Sequence, residues 1–243
     1  MPASLQLVLP CYNEAQRLKP ELFLEFAATE QDIDFLFVND GSTDATAVVL
    51  ADLAARSEGR ITVVTLAENA GKARAVQVGV LAAFDRHAEF VGFWDADLAT
   101  PLRAVTEFLD VFRARPDVDI VMGARVKLLG RDIRRSPLRH YSGRVFATAA
   151  SLALGIDVYD TQCGAKIFRA TEPVRRVFSA PFRSKWIFDV EILSRYLAAT
   201  GTAPSASPIY ELPLRDWTAV AGSKLKARHA LRAIWDLALI RRR

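Results

Sequence analysis

Two aspartates, Asp95 and Asp97, follow directly on the short apolar run Phe90-Val91-Gly92-Phe93-Trp94. Such a run reads as a buried strand, and side chains two apart on an extended chain project to the same side. A carboxylate pair placed that way can share one hard divalent cation. The chemistry on offer is electrostatic: a cation held there neutralises negative charge developing on a departing diphosphate. Paired aspartates in loops are more often solvated or capping, so the reading depends on the elements that position them.

Those elements alternate. Strands are expected over 5–10, 34–38, 61–66 and 90–94, with helices ending near residue 28 and spanning 46–56, 71–84 and 101–113. A fifth strand covers 119–122. This order argues for an α/β fold with a Rossmann-like, mostly parallel sheet and helices on both faces. In such a sheet the loops after the first, second and fourth strands open on one edge, where ligands bind. Tyr12-Asn13-Glu14, Asn39-Asp40 and the Asp95/Asp97 pair then converge on one crevice.

Beyond residue 122 the pattern changes. Residues 123–136 are polar and arginine-rich and read as a mobile loop, and 137–154 as a helix carrying Val145, Phe146, Ala149 and Leu152 along one side. A turn and strand over 157–169, a loop and helix over 182–199 and a strand at 209–214 follow; Pro213 marks the last as an edge strand. A closing helix from about Ala227 aligns Leu231, Ile234, Trp235 and Ala238 and ends in three arginines, Arg241 to Arg243. No repeat or linker divides the chain, so residues 1–243 read as one domain, with a first half (1–122) and a second half (123–243).

Charge separates the halves. Of the 243 residues the first 122 hold 10 basic and 19 acidic side chains, net −9, and the remainder 22 and 9, net +13, which together give the overall +4. The second half is built to meet something anionic. Two distant cysteines, Cys11 and Cys163, exclude a disulfide scaffold or zinc site and fit a reducing, cytoplasmic setting, and the three histidines lack ligand spacing. No signal-peptide pattern is visible, and no apolar stretch approaches the ~20 residues of a spanning helix, so contact with a membrane is expected from its surface. The basic residues lack the interleaved aromatics of a single-strand groove, which argues against nucleic acid. Neither a Walker loop nor a dinucleotide fingerprint is present; Asn69-Ala70-Gly71-Lys72 is a poor imitation of the former. A cation on the carboxylate pair is then the remaining way to hold a nucleotide's phosphates.

Seven short motifs, in order along nearly the whole chain, carry a resemblance: Leu9-Pro10-Cys11-Tyr12-Asn13-Glu14, Asn39-Asp40-Gly41-Ser42-Thr43-Asp44, Asn69-Ala70-Gly71-Lys72, Asp95-Ala96-Asp97, Gly123-Ala124-Arg125, Asp160-Thr161-Gln162-Cys163-Gly164 and Gly222-Ser223-Lys224-Leu225. The sequence resembles family 2 glycosyltransferases of the GT-A fold, specifically the dolichyl- and polyprenyl-phosphate glucosyl- and mannosyltransferases. The runs from Asp160 and Gly222, with 186–191, most resemble the β-glucosyltransferases and imply UDP-glucose as donor. The resemblance implies that Pro10, Tyr12, Glu14 and Asp40 surround the uridine and that Asp95 and Asp97 hold Mg²⁺ or Mn²⁺. Arg125, Arg139 and Lys224 are implied to bind phosphates, including that of a polyprenyl-phosphate acceptor. Asn39, Lys72 and Ser223 join the substrate-binding set, with Asn39 standing where the family usually has an aspartate.

Asp160 matches an aspartate proposed as a base in relatives. An acceptor phosphate with a second pKa near ~6 already carries its nucleophilic oxygen at neutral pH, so Asp160 is equally read as orienting Arg169 or a phosphate-binding arginine. Asp189 and Glu191 either meet sugar hydroxyls or cap and pair, and Arg134 and Arg135 either bind phosphate or form a solvated face. The implied reaction is an inverting hexosyl transfer by a peripheral enzyme on the cytoplasmic membrane face, with the helix from Pro137 and the closing helix available to lie in the interface. A soluble acceptor, and a non-catalytic polyanion- or membrane-binding protein on the same fold, are the alternatives.

Overall fold

The structure is a computed structural model that describes residues 3–201 and 208–220, the side chains of 137–139 excepted. Strands β1 (Leu5–Cys11), β2 (Ile33–Asn39), β3 (Ile61–Thr65) and β4 (Phe90–Trp94) are joined by helices α1 (Pro20–Thr29), α2 (Thr46–Ala55) and α3 (Lys72–Phe84). Helix α4 (Ala104–Ala114) leads to β5 (Ile120–Ala124). The chain continues through β6 (Asp132–Arg134), α5 (Pro137–Leu154), β7 (Ala165–Arg169), α6 (Glu172–Ser179), α7 (Phe188–Thr200), β8 (Ile209–Pro213) and β9 (Asp216–Thr218).

The main sheet has the order β3-β2-β1-β4-β7-β5-β8. Its pairs are parallel except that β7 runs antiparallel between β4 and β5. Strand order reverses between β1 and β4, the point at which an open α/β sheet forms a ligand crevice at its carboxyl edge. Period-two alternation sends Leu5, Leu7, Leu9, Phe35 and Phe37 to one face, against Phe23 and Leu50. Val8, Leu36 and Val38 go to the other, against Val76 and Val80 of α3. Both faces are therefore buried and covered by helices, as the near-continuous apolar strands demand. As expected of a strand with a proline, β8 closes one edge.

Three elements depart from the sequence reading. The stretch expected to be a mobile loop contains β6, which pairs in parallel with β9, Ile133 opposite Trp217. Both strands are three residues long, too short for periodicity to reveal. Helix α6 is an addition; Pro173 in its first turn and the buried Val174, Val177 and Phe178 at helical spacing form its signature. The carboxylate pair is also not on an extended chain: β4 stops at Trp94, and the N–H of Leu98 donates to the carbonyl of Asp95 at 3.1 Å, closing a turn. The expected closing helix, with Arg241 to Arg243, lies outside the described residues, as do Ser223 and Lys224.

Candidate active site

Three loops are stitched together at the crevice. After β1, Asn13 takes a left-handed conformation, φ 53°, and its side-chain carbonyl accepts the N–H of Thr43 at 2.8 Å. The N–H of Glu14 donates to the Thr46 hydroxyl at 2.8 Å, and the N–H of Asn13 to that of Ser42. Loops after β1 and β2 are thus one unit. Asn39 contributes by accepting the N–H of Ser42 at 3.1 Å. Gly41, with φ +60°, lies so close to Glu68 that a Cβ would come within 2.4 Å of its carbonyl carbon, which only glycine permits.

Asp40 fastens the third loop. Its carboxylate is buried and accepts the N–H groups of Ala70 and Gly71 at 2.8 and 2.9 Å, and the Asn69 amide at 3.0 Å. The structure thereby gives Asp40 a loop-holding role within the expected nucleoside site. Pro10, opposite Val38, and Tyr12 are half-buried at the end of β1. Glu14 pairs with Arg17, whose charge in turn reaches Asp97. Sequence reading missed Arg17; its place three residues after Glu14, on a helical turn, is the available signal.

Within the turn after β4, Asp97 accepts the N–H of Ala99 at 3.0 Å, and the Trp94 indole donates to the carbonyl of Thr100. Lys72, the first residue of α3, donates to Asp95 at 2.5 Å. Burial and then the charge of Asp95 push the Asp97 carboxyl above its ordinary value. Burial alone would lower the Lys72 amine, but the charges of Asp95 and Asp189 and the bond to Asp95 hold it above its usual range. Among the described residues no cluster of three His, Cys, Asp or Glu forms a metal-binding group. Two carboxylates fit Mg²⁺ or Mn²⁺, which commonly take one or two protein carboxylates and complete their shell with substrate phosphates and water.

The opposite wall is basic. Arg125, just past β5, grips Asp160 through two bonds of 2.6 and 2.7 Å, and its own N–H donates to the same carboxylate. Asp160 is buried and Arg125 largely so, their side chains 8 % and 12 % exposed. Burial would lower the guanidinium, but the Asp160 charge raises it; reciprocally, burial would raise Asp160, but Arg125 holds it below its ordinary value. The Arg125 guanidinium also lies 5.2 Å from the ring of Trp217 on β9, so the β6–β9 ribbon supplies its platform. Arg134 is exposed and paired with Asp132. Arg135 turns inward against Gly143, where burial and the charge of Arg125 lower its pKa. Arg139 lies in the first turn of α5, its side chain outside the described residues.

Residues 159–166 join the two walls. Glu211 accepts the N–H groups of Tyr159 and Asp160 at 2.7 and 2.8 Å. Lys166, with no exposed side-chain surface, donates to the carbonyls of Thr161 and Cys163 and to Asp189 at 2.6 Å. Asp189 is therefore paired rather than open to a sugar. Glu191 caps the N–H groups of Arg183 and Ser184 and pairs with Arg195. Arg169 is remote from Asp160 and pairs with Glu89 at the other end of β7, which leaves Arg125 as the arginine that Asp160 orients. Burial raises the Cys163 thiol to about 11, a packed rather than reactive cysteine. Sequence reading had no hold on Glu211, whose partners are backbone N–H groups, or on Lys166, whose partners are two carbonyls and an aspartate 23 residues away.

The profile of the family described as "Glycosyl transferase family 2" matches residues 6–171. The chain belongs to glycosyl transferase family 2. It is accordingly a glycosyltransferase, on a sheet that matches solved members of the GT-A fold. One curated relative, the dolichyl-phosphate beta-glucosyltransferase ALG5C of Trichomonas vaginalis, is 31% identical over 96% of this chain and 69% of its own. The dolichyl-phosphate beta-glucosyltransferase of Drosophila melanogaster is 34% identical over 91% of this chain and 69% of its own. Among solved structures, glucosyl-3-phosphoglycerate synthase from Mycobacterium tuberculosis, in complex with Mn²⁺, UDP and glucosyl-3-phosphoglycerate, superposes with a TM-score of 0.66 at 19% identity, covering 98% of this chain and 80% of that one. A mannosyltransferase from Pyrobaculum calidifontis, in complex with GDP-Man and Mn²⁺, gives a TM-score of 0.57 at 21% identity, covering 96% and 60%.

Proposed function

We propose that this glycosyltransferase moves glucose from UDP-glucose to the phosphate of a dolichyl or other polyprenyl phosphate, with inversion and with a divalent cation on Asp95 and Asp97. One observation carries the reading: residues 160–164 hold Arg125 at one end and the carboxylate turn at the other. Asp160 grips Arg125, and the carbonyl of Gly164 accepts the N–H of Asp95 at 2.9 Å. That arrangement supports a reading with the donor diphosphate and the acceptor phosphate on adjoining walls of one crevice. The names of the curated relatives support the lipid-phosphate acceptor, and the UDP and Mn²⁺ in a fold neighbour support the donor side.

In this reading the stitched loops after β1, β2 and β3 receive the nucleoside, with Pro10, Tyr12, Glu14 and Asn39 about it. A cation on Asp95 and Asp97 supplies neutralisation of the diphosphate leaving group. Arg125, with Arg135 and Arg139, orients the acceptor phosphate by planar, charge-assisted hydrogen bonds, and Lys224 adds a point charge. An acceptor oxygen forms the new bond to the anomeric carbon as the bond to the UDP oxygen breaks, and that electron pair leaves with UDP. A phosphomonoester with a second pKa near ~6 needs no base, so Asp160 acts by positioning Arg125.

A polyprenyl phosphate resides in a bilayer, so the reading places the protein at a membrane surface. Tyr141, Val145 and Leu152, all exposed along α5, support that placement. Among the described residues no helix is long and apolar enough to cross a membrane.

The test is UDP release from UDP-glucose with Mn²⁺, with and without a short polyprenyl phosphate, comparing wild type with Asp97→Ala. Release that requires the acceptor and vanishes in the variant is the expected result. Metal-dependent UDP-glucose binding without acceptor-dependent release would redirect the assignment to a soluble acceptor; no nucleotide-sugar binding would overturn it.

A further inference from the structure

In this structure one of the two carboxylates assigned to the cation already has a cationic partner. Lys72 donates to Asp95 at 2.5 Å, with 40 % of the lysine and 37 % of the aspartate side chain exposed. Such a pair is formed in contact with solvent, and exposed pairs exchange at small cost. The base of the lysine is fixed: the two residues before it, Ala70 and Gly71, are both held through their N–H groups by Asp40. Only the flexible four-carbon stem is left to move its ammonium. Of the two other acids that Lys72 feels, Asp189 is engaged at 2.6 Å by the buried Lys166, and Asp97 is itself assigned to the cation, so neither is a berth left over when the cation binds.

A dication approaching Asp95 alone meets an ammonium at hydrogen-bonding distance and must displace it into water, with no anion to replace the lost partner. A dication arriving with a nucleoside diphosphate brings that receiver, because the diphosphate oxygens are anionic acceptors within the same crevice. We propose that Lys72 keeps the cation's place on Asp95 in the empty enzyme and releases it only when a nucleoside diphosphate takes the ammonium. Lys72 is then a positioning residue that couples cation to donor. Reciprocity follows: whatever factor the diphosphate adds to cation affinity, the cation adds to diphosphate affinity. The inference rests on the donor reading above and deepens it by assigning the order of loading.

The test measures Mn²⁺ binding, not turnover. Free Mn²⁺ is followed by electron paramagnetic resonance as it is titrated into the full chain, with and without UDP, for wild type, Lys72→Met, Lys72→Arg and Lys185→Met. Lys185 is exposed and its stem lies near Gly71, so its loss changes the local field by the same charge without touching the Asp95 pair. Wild type and Lys72→Arg are expected to bind Mn²⁺ weakly until UDP is added. Lys72→Met is expected to bind Mn²⁺ alone about tenfold more tightly than wild type, with a correspondingly smaller gain from UDP. Equal affinities of wild type and Lys72→Met without UDP, beside normal UDP-dependent binding, would overturn the role of Lys72 and leave the donor site standing. A gain in Lys185→Met as large as in Lys72→Met would overturn it too, by showing a general field effect. No Mn²⁺ binding by any of the proteins, with UDP or without, would overturn the cation site itself and this inference with it.

Discussion

The backbone of Asp95 hangs from that of Gly164: the aspartate N–H donates to the glycine carbonyl at 2.9 Å, and a Cβ added at Gly164 would lie 1.9 Å from Oδ2 of the Asp95 carboxylate. Any side chain at 164 must therefore move the carboxylate or the strand beneath it. Gly164→Ala is expected to lower UDP release from UDP-glucose by about a hundredfold, the cost of misplacing a reacting group by about 1 Å. Overpacking should remove about 1–3 kcal/mol of stability, leaving a folded protein. Steady-state rates beside a urea melt check both, and a fully active alanine variant would show that the Asp95 carboxylate need not stay where it is.

Asp160 and Arg125 form a largely buried pair that makes the choice between base and holder testable. Asp160→Asn strips the buried guanidinium of its counter-charge and is expected to cost about 3–5 kcal/mol in urea unfolding. The activity loss should appear as a raised KM for the acceptor, with the shape of the kcat–pH profile unchanged; loss of an acidic limb from that profile would restore the base. The pH sign is fixed by the direction of the shift. Because Arg125 holds folded Asp160 below its ordinary value, the stabilisation is complete above the unfolded pKa and is lost as pH falls through the lower, folded one. Below about pH 4, wild type should lose its advantage over Asp160→Asn.

The strand and helix alternation up to residue 122 was legible because each element carries its own signal: β1 and β2 alternate onto two buried faces, and the helices between them repeat near 3.6 residues. The convergence of loops on the carboxyl edge followed from that order alone. What stayed hidden depends on partners distant in sequence. Nothing in Asp216-Trp217-Thr218 announces a strand until Asp132–Arg134 lies beside it, and without that ribbon Arg134 and Arg135 cannot be told apart. The gathering of loops was read correctly. Its geometry was not, because Asp95 and Asp97 meet through a turn at Leu98, whose φ of 54° no alternation rule anticipates. Asp40 was read toward the nucleoside because of its motif, whereas its carboxylate is turned onto the backbone of residues 70 and 71.

That turning makes Asp40 a test of loop positioning. Asp40→Asn keeps one acceptor oxygen but sets an amide donor against a backbone N–H, which should loosen the loop by about 1–3 kcal/mol. The expected outcome is a raised KM for UDP-glucose with little change in acceptor KM, and faster amide exchange at residues 69–72. Unchanged exchange together with a lost donor site would instead assign Asp40 a direct contact with the nucleoside.

Lys166 poses the opposite case, a charge in the core whose work is entirely structural. Its ammonium, without exposed surface, joins two carbonyls of the 161–163 turn to Asp189 at the start of α7. Lys166→Met fills the same channel but leaves the Asp189 carboxylate buried and unpaired, and is expected to cost about 3–5 kcal/mol. Replacing Asp189 by Asn in that background removes the stranded charge, so the double variant should be more stable than Lys166→Met alone. A double-mutant cycle in urea measures this coupling. Additive losses would mean that the lysine holds the turn by its carbonyl bonds and that Asp189 contributes independently; strong coupling would make the ion pair the tie between α7 and the segment that carries Asp160 and Gly164.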